Sequence, residues 1–381
     1  IAFLLMYRFK PSLFALNRNR PAIFVAIAHC QRSQGGVCSR ESHPAWIRMM
    51  QRPYLLFLGD VHDQLAAKTA DGIAHWRPDW CVGQLRLPGC NADVGLPDVS
   101  VAEAAAKGAK TLIVAVANSG GVMPDHWSAV LVEAMEAGMD IASGLHTRLG
   151  TIPAIAECAA KHGAQLHDVR YTDRTFKTGT GVQRTGKRCL TVGTDCSVGK
   201  KYSALAITQE MERRGMDASF CATGQTGIMI AERGVAIDAV IADFISGAVE
   251  WLSPAADPNH WDVIEGQGSL FHAAFSGVTV GLVHGAQPDA LVLCHEPTRT
   301  HMRGLKHMPI PRLEDCLRPY VSLATLTNPA AQFVGISIDT HLLEPALADR
   351  YLKELEDTFG LPCVDPLKGG AGPIVDRLAA L

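Results

Sequence analysis

The stretch Cys189-Leu-Thr-Val-Gly-Thr-Asp-Cys-Ser-Val-Gly-Lys-Lys-Tyr-Ser203 decides how the rest of the chain is read. Cys189 to Val192 is an apolar, β-branched run and predicts a short buried strand. Gly193 to Gly199 predicts a turn. Lys200 to Arg214, with Leu205, Ile207 and Met211 on one side, predicts a helix. Strand, glycine-bearing loop and helix in that order are the setting of a phosphate-binding loop. The loop's N–H groups make an anion-binding concavity, the helix N-terminus adds partial positive charge, and Lys200 adds a full one. Gly193, Thr194, Asp195, Cys196, Ser197, Val198, Gly199, Lys200 and Lys201 are therefore the candidate anion-binding residues. The alternative is a glycine turn that binds nothing.

The motif departs from Gly-x-x-x-x-Gly-Lys-Ser/Thr at two places. Thr194 stands where the first glycine belongs, and Lys201 replaces the hydroxyl that would ligate Mg²⁺. An ammonium cannot ligate Mg²⁺ but can bind a further phosphate. No metal ligand is assigned, and activity is expected to need no divalent metal.

Working outward, the chain has 381 residues, 48% hydrophobic and 19% charged, which suits a soluble globular protein of two domains. Net charge is −3. Residues 1–52 hold eight Lys/Arg against Glu41, or +7, which leaves −10 for the remainder. An acidic body does not favour polyanions, so nucleic acid is not an expected partner and any phosphate must be held locally. Eleven cysteines occur without Cys-x-x-Cys spacing, which predicts free thiols and a reducing cytoplasm. No apolar run reaches the ~18 residues of a membrane span.

Residues 1–52 lack periodicity and are expected to be a disordered extension, with Met49 or Met50 as a plausible start. Residues 53–170 alternate strand and helix patterns, which predicts a Rossmann-like parallel sheet. No Gly-x-Gly-x-x-Gly follows the first strand, so a dinucleotide site is not expected. Residues 171–187 read as a polar linker, and 188–381 as a second α/β domain. There Val278 to Val283 and Ala290 to Cys294 are expected strands. The stretch after Met302 is expected to be loop until Gln332.

Ligands of open α/β sheets bind beyond the carboxyl ends of the strands. Glu265 directly follows an expected strand. It is a candidate general base, or a plain strand-end carboxylate. His295-Glu-Pro-Thr-Arg-Thr-His-Met-Arg303 gathers two imidazoles, a carboxylate and two guanidiniums. Pro297 and the spacing rule out a His-Glu-x-x-His metal site, whereas arginine forks match carboxylates. In the first domain Asn118-Ser-Gly-Gly121 and His146-Thr-Arg148 follow expected strands.

Two resemblances rest on these residues. Gly193 to Lys201 is similar to the Gly-Thr-Asp-Thr-x-x-Gly-Lys-Thr loop of dethiobiotin synthetase-like P-loop proteins. The loop more closely resembles that of a bacterial family long known only as a domain of unknown function. Gly144-Leu-His-Thr-Arg-Leu149, Ala222-Thr-Gly-Gln-Thr-Gly227, Ile264-Glu-Gly-Gln-Gly-Ser-Leu270 and Cys294-His-Glu-Pro-Thr-Arg299 extend the resemblance over about Pro53 to Leu381. It implies a Rossmann-like domain followed by a P-loop domain, and transfer of an acetyl group from acetyl-CoA to D-glutamate. On that reading the loop holds the phosphates of the co-substrate. Glu265, His295 and Glu296 are the candidate bases, and Arg148, Arg299 and Arg303 the candidates for the substrate carboxylates. A homo-oligomer acting on a small molecule, with no membrane partner, is expected. The first resemblance implies the rival, an ATP-dependent ligase or kinase in which Ser197 or Ser203 reaches a metal and Glu265 helps to hold it.

Overall fold

A computed structural model describes residues 50–117 and 119–381. The extension expected at 1–52, with Met49, lies outside the described residues except for its last three. Asn118 also lies outside them.

The first sheet has five parallel strands, β1 (Tyr54–Gly59), β2 (Cys81–Arg86), β3 (Thr111–Val114), β4 (Asp140–Ser143) and β5 (Leu166–Asp168), in the order β2-β1-β3-β4-β5. β1, β3 and β4 are buried along their whole length, as near-continuous apolar runs covered on both faces must be. Helices α1 (Lys68–Trp76), α2 (Val101–Ala106), α3 (Ser128–Glu136) and α4 (Pro153–His162) make the crossovers. Ser100 and Glu103 close a reciprocal capping box on α2.

The second sheet is built from β6 (Lys187–Gly193), β7 (Ala218–Cys221), β8 (Trp261–Ile264) and β9 (Ala290–His295), followed after a short antiparallel hairpin, β10 (His301–Met302) and β11 (Leu305–Pro309), by β12 (Gln332–Ile338) and β13 (Cys363–Val364). The hairpin apart, the strands are parallel in the order β13-β12-β9-β6-β8-β7. The crossover helices are α5 (Lys200–Arg213), α6 (Gln225–Ala231), α7 (Ile245–Leu252), α8 (Ser276–Ala286), α9 (Leu313–Ala324) and α10 (Pro345–Phe359), and α11 (Gly372–Ala379) follows the last strand. β6 lies between β8 and β9, so the strand ends that carry Glu265 and His295 flank the loop that follows β6.

Two sequence expectations are corrected. Val278 to Val283 is not a strand but the middle of α8. Gly281 and Gly285 let α7 come so close that a Cβ on either would lie 2.6 Å from Ile245 or 2.4 Å from the Ser246 carbonyl oxygen. Ser246 Oγ donates to Gly281 O across this contact. Helix packing here overrides the β preference of Val and Thr. The stretch after Met302 is not loop, for it holds β11 and α9. Leu313, Cys316, Tyr320 and Ala324 form the buried stripe of α9, although Pro319 lies inside it.

The described residues form one compact unit, and one apolar cluster runs through both sheets. Helix α1 lies on α6, with Thr69 Oγ1 3.0 Å from Thr226 Oγ1 in a buried contact. Arg52 and Tyr54 of the first domain both donate to the Glu232 carboxylate beyond α6. Arg170 reaches Gly144 O and pairs with Asp238. The polar stretch before β6 is laid over α7. Arg174 stacks on Trp251, and the Thr180 and Gly181 N–H groups donate to Glu250.

Candidate active site

The loop from Gly193 to Gly199 is held from three sides. Ser269 Oγ and Tyr320 OH donate to Gly193 O, at 2.9 and 2.7 Å. Thr194 donates its N–H to Cys294 O, and its hydroxyl meets His295 Nδ1 at 3.0 Å. Ser197 at φ 52° and Gly199 at φ 89° turn the chain into α5, whose first N–H groups have no intrahelical acceptor. Those N–H groups and the positive helix end make an anion site. Lys200 is buried and its Nζ donates to Asp195 O at 2.7 Å, so its charge sits inside the loop's curve. Burial lowers the Lys200 pKa.

Asp195 is fully buried and organises the other wall. Its Oδ1 accepts from Cys196 N–H, and its Oδ2 accepts from Arg299 Nη1 and Arg303 N–H, both at 2.7 Å. The guanidinium of Arg299 also donates to Cys196 O and Ser197 O, at 2.6 and 2.9 Å. This corrects the expectation that Arg299 offers a free fork to a substrate carboxylate, because its donors are engaged by the phosphate loop. Glu296 is corrected with it. One oxygen accepts from Thr298 N–H and hydroxyl, and the other lies 3.6 Å from Arg299 Nε. That carboxylate closes its own turn and steadies Arg299, which leaves it poorly placed as a base. Arg148 is exposed and stacks on the Tyr171 ring, with its guanidinium carbon 4.1 Å from the ring centroid. Only the Arg303 guanidinium, of the three candidate arginines, makes no hydrogen bond or ring contact among the described residues.

Arg299→Lys is accordingly expected to lower stability by about 1–3 kcal/mol, because one ammonium cannot satisfy Asp195 and two carbonyls together. The check is chemical denaturation of mutant and wild type. An unchanged midpoint would mean that the loop does not depend on this fork.

Glu265 stands just past β8 and is 4% exposed. Its Oε2 accepts from the N–H groups of Thr223 and Gly224, at 3.0 and 3.2 Å, and Thr223 Oγ1 returns a bond to Glu265 O. Burial raises its pKa well above the ordinary carboxylate range, against the opposing pull of the Lys201 ammonium and the two N–H groups. Lys201 shows the converse shift, lowered by burial and raised by Glu265. The two are not in ion-pair contact among the described residues, so each influences the other through a gap. Lys201 therefore does not turn into the phosphate loop. Its Nζ lies 4.5 Å from the Tyr202 ring centroid and faces α1. His295 is pushed down to about 4 by burial, so its ring is neutral at neutral pH and a weaker proton acceptor than Glu265.

Asp195, Cys196 and His272 offer donor atoms within 4.8 Å of one another, a spacing that a metal ion accepts. Their bonds argue otherwise. Both Asp195 oxygens are engaged, His272 Nδ1 accepts from Ala274 N–H, and His272 Nε2 faces Arg303 O, which only a protonated nitrogen can do. Ser203 is likewise turned inward, donating to Gly199 O and meeting Ser337 Oγ at 2.7 Å. That position disfavours the metal role the rival gave it. The first domain's loops pack on each other, with His146 N–H on Gly121 O at 2.7 Å. Gly144 sits against Gln225 of α6.

Sequence reasoning named the loop, Glu265 and the Thr223–Gly227 segment, of which the structure brings the last two into hydrogen-bond contact. It missed Asp195 as the organiser, because one Asp in a loop carries no spacing signal.

A parallel sheet with its phosphate loop beside a buried carboxylate, joined to a Rossmann-like sheet, defines a P-loop protein of the two-domain kind. The chain belongs to the DUF1611 family, a domain of unknown function whose P-loop domain matches residues 175–375 and whose Rossmann-like domain matches residues 85–172. A D-glutamate N-acetyltransferase of Tritonibacter scottomollicae is 56% identical over 87% of this chain and 100% of that protein. Another so named, from a Pseudoalteromonas species, is 51% identical over 86% of this chain and 98% of its own length. The crystal structure of a DUF1611 family protein from Anabaena variabilis matches with a TM-score of 0.78 at 31% identity, over 87% of this chain and 100% of that one. The chain is accordingly an enzyme, an acyltransferase of the N-acetyltransferase kind.

Proposed function

We propose that the enzyme transfers the acetyl group of acetyl-CoA to the amino group of D-glutamate, in the cytoplasm and without a divalent metal. The observation that carries this is Glu265, a buried carboxylate with a raised pKa at the edge of a phosphate-binding loop. The names of the relatives support the acceptor and the acyl group. The first-turn N–H groups of α5 and Lys200 hold the phosphates of the co-substrate. The amine arrives as an ammonium and must lose a proton before it can attack. Glu265 takes that proton. The nitrogen lone pair then forms the C–N bond, the C–S bond breaks, and the leaving thiolate takes the second nitrogen proton to become the free thiol, while the first stays on Glu265 until it is released to water. A base with a raised pKa receives the proton better than an ordinary carboxylate and still releases it near neutrality.

The test mixes enzyme, acetyl-CoA and D-glutamate in EDTA, without ATP, and follows free thiol and N-acetylglutamate. Equal amounts of both are expected. Turnover that requires ATP and Mg²⁺ would favour the ligase reading instead.

A further inference from the structure

Helix α1 presents Lys68, Thr69 and Gly72 to the second domain. Gly72 lies one turn beyond Lys68 on the same face. A Cβ built at Gly72 would lie 3.0 Å from Lys201 Nζ and 2.9 Å from Thr226 Cγ2. The missing side chain thus leaves room for Lys201 to reach from α5 onto the face of α1 that carries Lys68. Arg303, in the turn between β10 and β11, is anchored through its own N–H on Asp195, and its charge is felt by Lys68.

Lys68 is partly buried. Its pKa is lowered by burial and then by Arg303 and Arg170, while Cys196 of the phosphate loop pulls it the other way. Lys201 in turn feels Lys68. Arg170 is already paired with Asp238, so it is not available to a ligand. The carboxylates whose fields reach Lys201, Glu265 and Asp71, are both beyond ion-pair distance. Lys68 Nζ, Lys201 Nζ and the Arg303 guanidinium make no hydrogen bond or ion pair among the described residues. Three like charges, partly removed from water and without a carboxylate in ion-pair contact, are unfavourable unless an anion joins them.

We propose that Lys68, Lys201 and Arg303 form a cradle for the two carboxylates of the acidic amino-acid acceptor, in the cleft between α1 and the phosphate loop, with the amine turned to Glu265. This rests on the acetyl-transfer reading. It gives the first domain a direct role, since Lys68 is its contribution to the acceptor site. The phosphates of the co-substrate carry the same kind of charge, and the experiment separates the two sources.

Wild type, Lys68→Met and Lys68→Arg are compared by steady-state kinetics with both substrates varied, and with D-glutamine as the acceptor that lacks one carboxylate. Lys68→Met is expected to raise KM for D-glutamate about 10- to 100-fold, the weight of a charge-assisted hydrogen bond, and to leave KM for acetyl-CoA unchanged. The preference for D-glutamate over D-glutamine should shrink with it, and Lys68→Arg should restore part of both. A rise confined to KM for acetyl-CoA would overturn the assignment in favour of phosphate. Unchanged constants would overturn the cradle altogether. Losing a partly buried, unpaired ammonium should leave the melting temperature unchanged or higher. Thermal shift with D-glutamate alone needs no turnover: stabilisation of wild type that vanishes in Lys68→Met is expected. Equal stabilisation of both would refute the cradle. A wild type that binds D-glutamate through Lys68 yet transfers no acetyl group would refute the acetyl-transfer reading alone.

Discussion

Glu265→Gln is expected to lower kcat by about 10²- to 10⁴-fold, the usual weight of a positioned proton acceptor. The amide keeps the shape, and its carbonyl oxygen accepts from the same Thr223 and Gly224 N–H groups. What it loses is the ability to take a proton. The pH profile gives a second readout. Only the carboxylate is active as a base, so in wild type kcat/KM for D-glutamate should rise with pH through an ionisation above the ordinary carboxylate range. That limb should be absent in the mutant. Stability has the opposite sign. Folding raises this pKa, so the stability it contributes is complete below the ordinary carboxylate range and is lost as pH rises through the raised value. Above that value Glu265→Gln should melt no lower than wild type. A mutant with full kcat and an unaltered pH profile would remove Glu265 from the mechanism.

Gly227→Ala is expected to cost about 10²-fold in kcat/KM, the effect of displacing a reacting group by about 1 Å. A Cβ at position 227 would fall 2.3 Å from Glu265 Oε2, and 3.1 Å from the Ala222 Cβ on the other side. The carboxylate must swing away from the Thr223 and Gly224 N–H groups, and so from the place where it meets the amine. Helix α6 itself should tolerate the alanine, which is the better helix former. Kinetics paired with a melting curve checks this. A lower melting temperature, from the two lost N–H bonds, with activity lost well below the melting transition is the expected pattern, whereas full activity would mean that the position of the carboxylate is not critical. A double mutant with Glu265→Gln should be little worse than Glu265→Gln alone, because both changes act through one group.

The element pattern of both sheets was legible in the sequence. Apolar β-branched runs ending in polar glycine loops are a local signal, and Cys189 to Lys201 carried it most strongly. It failed where contacts between helices override propensity. The Val- and Thr-rich segment 278–283 reads as a strand on its own, yet α7 and α8 need its Gly281, with Gly285 beyond it, to approach each other. α9 was hidden by Pro319, which its buried stripe tolerates.

The sequence by itself determined the phosphate loop, its departure from the Mg²⁺-binding form at Lys201, and Glu265 as a strand-end carboxylate. These are statements about order along the chain, and β-strand followed by loop followed by helix places them without further knowledge. Which charges are paired was decided only by the tertiary structure. Arg299 and Arg303 look equivalent in the sequence, four residues apart. Asp195, about a hundred residues earlier, takes the Arg299 side chain but only the Arg303 backbone, so one guanidinium is tied to the loop and the other is not. Lys201 changes role in the same way. Beside Lys200 it reads as a second phosphate ligand, but the helical turn of about 100° per residue sends the two ammoniums to different places, one into the loop and one toward α1. Lys68 carries no local signal at all. It becomes part of the site because α1 packs on α6, and whether a charge has a partner is a property of surroundings that the order of residues does not encode.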